Sequence, residues 1–153
     1  MRKFEDAPAS LVEQLSGVWK LVSYEYQRAD GQPAVPALGP DPIGRLMYDP
    51  SGLMSVHIMS LDRPIFESGD RLRGDSDKVK AAYEGYLAYF GTYEVREAEG
   101  IIIHRVEGSL FPNWVGTDQT RFFQLKGDKL TLRTPPRPEA GGEVAVLVWE
   151  RMK

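Results

Sequence analysis

Cysteine is absent from the 153 residues. That excludes disulfides, thiolate metal centres and a cysteine nucleophile. Uninterrupted apolar runs are only a few residues long, far short of the roughly 20 a helix needs to span a bilayer. The first residues, MRKFEDAPASLVEQL, carry two early cations but no apolar segment, so they do not read as a secretory signal. Neither sign of charge dominates: 19 basic against 22 acidic residues leave −3, mixed along the chain. Such a balance gives no electrostatic reason to bind nucleic acid or an anionic membrane. Glycine-rich phosphate loops, G-x-S-x-G elbows and H-E-x-x-H motifs are also missing. Nucleotide-dependent, serine-hydrolase and zincin chemistries are therefore not expected.

What remains is a chain with a globular composition. Leu, Ile, Val and Phe make up about a quarter of it, above the level at which chains of high net charge stay disordered. The length suits one domain over residues 1–153, with 1–14 as an N-terminal arm or short helix, in a cytoplasmic protein.

Alternation dominates the pattern. Gly17 to Tyr26 sets Trp19, Leu21 and Ser23 on one face and Val18, Val22 and Tyr24 on the other, a two-sided strand. A Gly- and Pro-rich loop follows between Gly31 and Pro42, too dense in breakers for either regular structure. Residues 43–60 read as a hairpin around Pro50-Ser51-Gly52. After a polar loop, Asp75, Ser76 and Asp77 offer N-caps for a helix over about 76–90. Val79, Ala82, Tyr83, Tyr86, Leu87 and Phe90 would form its apolar stripe, a candidate lid.

Strands then resume at 91–97, 101–108, 119–125, 129–134 and 143–151, with Gly127-Asp128 marking a tight hairpin. The order gives an all-β fold of about eight antiparallel strands with one inserted helix. Closing such an up-and-down sheet into a barrel pairs its first and last strands and removes both edges. Eight strands leave an interior that side chains fill or that holds one small ligand.

Gly17-Val18-Trp19 resembles the G-x-W that opens lipocalin barrels. Wider likeness is to small bacterial and fungal lipocalin-like domain proteins of the calycin type. It rests on Ile43–Gly52, on Gly85–Val95 and on His104–Gln119, and with the chain ends covers nearly the whole sequence. The resemblance implies an up-and-down barrel in which Trp19 closes one end and a cation, here Arg151, packs over it. It implies little about activity, because fold does not dictate function.

The candidate chemistry is sparse. His57 and His104 are the only histidines; either, facing inward, could act as a general base near neutrality. Equally, each could be a hydrogen-bonded or surface strand histidine. With no H-x-H or H-x-x-x-H spacing no metal centre is expected, and with no histidine near the C-terminal strands no haem is expected either; no other cofactor is implied. Tyr93 and Glu107 complete the catalytic candidates. Glu107 lies three residues from His104, which on a continuous strand sets the two on opposite faces unless a bulge intervenes.

His104 to Gln119 gathers polar groups beside Phe111 and Trp114, the composition of a pocket mouth or of a structural corner. Trp114, Asn113, Phe111 and Gln119 are therefore ligand-binding candidates. Tyr86 joins them from the helix stripe. Arg45 and Arg121 join them as guanidiniums that could grip a ligand oxyanion if they face inward, although alternation favours the exterior.

Two functions lead, ahead of a third in which Trp114, Phe111 and the Pro-rich loops serve an interaction module or an oligomeric structural protein. The first is binding of a small hydrophobic molecule, aromatic or polyketide-like, inside the barrel. The second is a cofactor-independent cyclase, isomerase or dehydratase of secondary metabolism that uses the same cavity as its active site. A monomer or homodimer suits both.

Overall fold

The computed structural model describes residues 10–153. The part of the expected N-terminal arm before Ser10 lies outside the described residues. Nine strands run in one antiparallel sheet: β1 (Gly17–Gln27), β2 (Val35–Pro36), β3 (Ile43–Tyr48), β4 (Leu53–Met59), β5 (Tyr86–Arg96), β6 (Ile101–Ser109), β7 (Asp118–Lys126), β8 (Lys129–Arg133) and β9 (Val144–Arg151). Apart from the two-residue β2, each strand pairs with the next along the chain, and β9 returns to β1. The result is the closed eight-stranded up-and-down barrel read from the sequence, with β2 appended to β1 opposite Glu25 and Tyr26.

Two bulges decide which side chains face inward. Opposite β9, β1 carries an extra residue between Leu21 and Ser23. Such an insertion shifts the inward–outward alternation by one. Tyr24 is consequently buried with Trp19 and Leu21, while Val22 is exposed. Strict alternation put Tyr24 on the opposite face, so the bulge corrects that reading. A second irregularity lies between β5 and β6, where Phe90 faces Gly108 but Gly91 faces Val106. Glu107 is the extra residue, and it is exposed. At this crossing a Cβ on Gly91 would sit 1.9 Å from the Arg105 carbonyl oxygen, so only glycine fits.

The helix expected over 76–90 is shorter. α2 covers Ser76–Glu84 and stops at Gly85, and β5 begins at Tyr86. Asp75 holds the N-cap position without a side-chain cap bond. The helical spacing of Tyr86, Leu87 and Phe90 coincides with a second, two-residue alternation of Leu87, Tyr89, Gly91 and Tyr93. Strand pairing wins because β4 and β6 both offer ladders to this segment, which outweigh the small helical preference of its aromatic residues.

One barrel end is sealed. α1 (Leu11–Leu15) is capped by the Ser10 side chain and plugs the base with Leu15. Its Leu15 carbonyl accepts a 2.9 Å hydrogen bond from the Trp19 indole N–H. Arg151 lies over the Trp19 ring, 4.3 Å from its centroid.

Candidate functional site

The opposite end opens into a cavity of about 550 Å³. Its mouth is formed by Tyr83 and Glu84 at the end of α2, by Phe111, and by the Pro135–Glu139 loop. Its walls include Leu46, Val56, Ile58, Leu132 and Leu147, inward residues of four strands. Trp149 lines it with only 1% of its surface exposed, and its indole N–H is buried without a partner.

Aromatic edges meet at the mouth. Trp114 packs edge-on against Tyr89 and Phe111, with centroids 5.8 and 5.4 Å apart. Such T-shaped pairs fix ring orientation through their quadrupoles. Pro112–Trp114 form a 3₁₀ turn, which carries Trp114 from the end of β6 across the opening.

Within this apolar surround sits one polar cluster. His104, from β6, is fully buried. Its Nε2 lies 2.6 Å from the Tyr48 hydroxyl of β3, and its Nδ1 lies 2.7 Å from the Tyr89 hydroxyl of β5. Burial lowers its pKa from 6.5 to about 3, and the Arg121 guanidinium adds to this by repulsion. The imidazole is therefore neutral at physiological pH. Burial also raises the Tyr48, Tyr89 and Tyr24 hydroxyls above the ordinary phenol value. Arg121 opposes that shift at each, yet burial wins. Arg121 itself donates to the Thr120 carbonyl at 2.9 Å.

The cavity brings together His104, Phe111, Trp114, Gln119, Arg121 and Tyr86 from the sequence candidates. Tyr86 stands at the rim rather than on a helix, with its hydroxyl 3.3 Å from His57 Nδ1 and Arg63 above its ring. Arg121 faces inward, against the default that alternation suggested.

Other candidates lie elsewhere. His57 and Arg45 are exposed cross-strand neighbours on the outer surface, because the inward positions beside them belong to Leu46, Val56 and Ile58. Neither lines the cavity. Glu107 is exposed on its bulge, apart from His104. Asn113, in the 3₁₀ turn, is also exposed and does not line the cavity. Tyr93 is interior but lies outside the cavity lining, donating from its hydroxyl to the Asp49 carbonyl at 2.8 Å. Sequence reasoning missed Tyr48, Tyr89 and Trp149 as site residues. Their signal was period-two spacing, with Leu46–Tyr48, Tyr89–Gly91–Tyr93 and Leu147–Trp149 each sharing a face.

Among the described residues, no group of three or more His, Asp or Glu side chains could hold a metal ion. No described helix is long and apolar enough to cross a membrane.

A closed eight-stranded barrel, sealed at one end by G-x-W and an arginine and hollow at the other, defines a lipocalin-like protein. The sequence profile of the lipocalin-like domain matches residues 16–152, and the chain belongs to that family. It is also 37% identical over 87 residues to the 4'-hydroxy-3'-methoxypropiophenone carrier protein ppsC of Aspergillus oryzae, an alignment covering 53% of this chain and 78% of that one. No solved structure matches it.

Proposed function

We propose that this protein binds a small aromatic molecule inside the barrel and acts as its carrier. The supporting observation is the cavity of about 550 Å³, apolar and aromatic over most of its wall with one buried polar cluster. That composition suits an apolar ring body with few oxygens, held by area burial at roughly 25 cal/mol per Å² and oriented by hydrogen bonds. The relative named for carrying a hydroxyaryl ketone supports the same ligand class.

Titration with 4'-hydroxy-3'-methoxypropiophenone tests the reading. Trp114 and Trp149 both line the cavity, so saturable quenching of intrinsic fluorescence is expected, with a rise in Tm that grows with ligand concentration. If neither this ketone nor a panel of phenols and aryl ketones gives saturable binding, the carrier reading fails.

The enzyme reading draws support from the Tyr48–His104–Tyr89 chain, which could pass a proton to a bound oxygen. Geometry favours it less. Both imidazole nitrogens are engaged and burial keeps His104 neutral, whereas a general base works best with a pKa near the operating pH. Recovery of the ligand unchanged after long incubation supports the carrier; steady conversion would replace it with the enzyme.

A further inference from the structure

A neutral imidazole has one N–H donor and one acceptor nitrogen. His104 touches two hydroxyls, so one tyrosine donates to it and the other accepts from it. Which is which follows from their surroundings. Tyr48 is 2% exposed and does not line the cavity, and among the described residues its hydroxyl has His104 Nε2 as its hydrogen-bond partner. Were Tyr48 to accept, its own proton would be buried with nowhere to go, at the full desolvation cost of that group. Tyr48 therefore donates to Nε2. Nδ1 then carries the ring hydrogen and donates to the Tyr89 oxygen at 2.7 Å. This tautomer is assigned from the donor–acceptor inventory.

The consequence falls on Tyr89, which lines the cavity. Arg121 lines the same cavity, and its side chain has donors and no acceptor, so it offers the Tyr89 proton nowhere to go. With its oxygen accepting from His104 Nδ1, the Tyr89 hydroxyl keeps its own proton to donate. Trp149, another lining residue, also holds an indole N–H without an acceptor. The buried side-chain atoms left unpartnered among the described residues are Arg63 Nε, Arg137 Nε, Ser109 Oγ and Trp149 Nε1. Every one can donate, and none is acceptor-only.

We propose that Tyr89 Oη–H is the ligand-orienting donor of the cavity, and that it selects a neutral carbonyl compound whose oxygen accepts from it. This rests on the reading of the barrel as a small-molecule binder. A carbonyl is favoured over an ionised oxygen by the balance that already holds at Tyr89. There a guanidinium and a phenol line the same cavity and the charge favours ionisation, yet burial keeps the phenol protonated, and a charged ligand oxygen at the same depth meets the same penalty.

Benzophenone and diphenylmethane test it, being matched in size and differing by one carbonyl. Calorimetry should show wild-type protein binding the ketone several-fold tighter, although a purely apolar cavity would prefer the hydrocarbon. Tyr89→Phe should reverse the preference, a change of about tenfold in the affinity ratio. Tyr48→Phe is the sharper variant, because Tyr48 acts only as a positioning residue. Without its donor the imidazole can adopt the other tautomer and take the Tyr89 proton, so the ratio should fall while diphenylmethane affinity stays constant.

Equal binding of both compounds to wild type overturns the donor assignment and leaves the binder reading standing. An unchanged ratio in both variants does the same. Tighter binding of diphenylacetate than of benzophenone, lost in Arg121→Met, would make this an anion site and also overturn the proposal. If neither neutral compound nor the acid binds, the binder reading falls as well.

Discussion

Arg151 lies over the Trp19 indole at 4.3 Å, joining the last strand to the first at the sealed end of the barrel. The same guanidinium donates to the Ser16 carbonyl at 2.8 Å and to the Gln14 carbonyl, and pairs with Asp128 at 3.4 Å. It thereby satisfies carbonyls at the end of α1, which the short helix leaves open.

Arg151→Lys keeps the charge but loses the planar fork and most of the stacking. It should destabilise the protein by about 1–2 kcal/mol, within the range of a charge-assisted hydrogen bond plus a cation–π contact. Urea unfolding measures this, and a change indistinguishable from zero would make the stack incidental.

Stability should depend on pH through His104. Its folded pKa of about 3 lies below the ordinary value of 6.5, so below about pH 6.5 the unfolded chain takes up a proton that the native state refuses. The folded protein should therefore lose stability as pH falls, at up to about 1.4 kcal/mol per pH unit from this group. Above about pH 7 the group contributes no slope. Urea midpoints between pH 5 and 7 should slope in wild type and flatten in His104→Leu; equal slopes would show that His104 is not held neutral.

Gly91→Ala should be among the most damaging single-methyl changes. Its Cβ would meet the Arg105 carbonyl oxygen at 1.9 Å, backbone against backbone across the β5–β6 bulge. Several kcal/mol are expected, the scale of an overpacked site that cannot relax. Gly100→Ala is the comparison: its φ of +67° is strained for alanine, but nothing lies within 4 Å of the new methyl. It should cost about 1–2 kcal/mol. A thermal-melt ranking in the opposite order would contradict the bulge geometry.

His57→Ala, Arg45→Ala and Glu107→Gln alter exposed outer positions. Each should leave the affinity of a cavity ligand within about twofold, since exposed substitutions away from a site are usually near neutral. A tenfold loss in any one would place the binding surface outside the barrel.

Much of the fold was legible because alternation and turn chemistry are local. Gly127-Asp128 marks its hairpin regardless of what surrounds it, and Gly17-Val18-Trp19 opens β1 where expected. Local pattern was ambiguous at Tyr86–Phe90, where helical and strand spacing coexist in the same residues. Partner strands on both sides resolved it. At the site, His104 and Trp114 stood out by residue type. Tyr48 and Tyr89 did not, because one tyrosine among seven carries no mark of its partner.

The linear chain on its own determined an all-β barrel and the absence of thiol chemistry, since composition and two-residue periodicity act over neighbours; closure of one end by Trp19 and Arg151 was what the family resemblance implied. Tertiary structure alone decided that Tyr24 and Arg121 turn inward, that His57 stays outside, and that two tyrosines from different strands meet one imidazole. Bulges reset facing by a single residue, and burial sets proton positions. Both depend on which strands lie alongside, a property no local stretch of sequence contains.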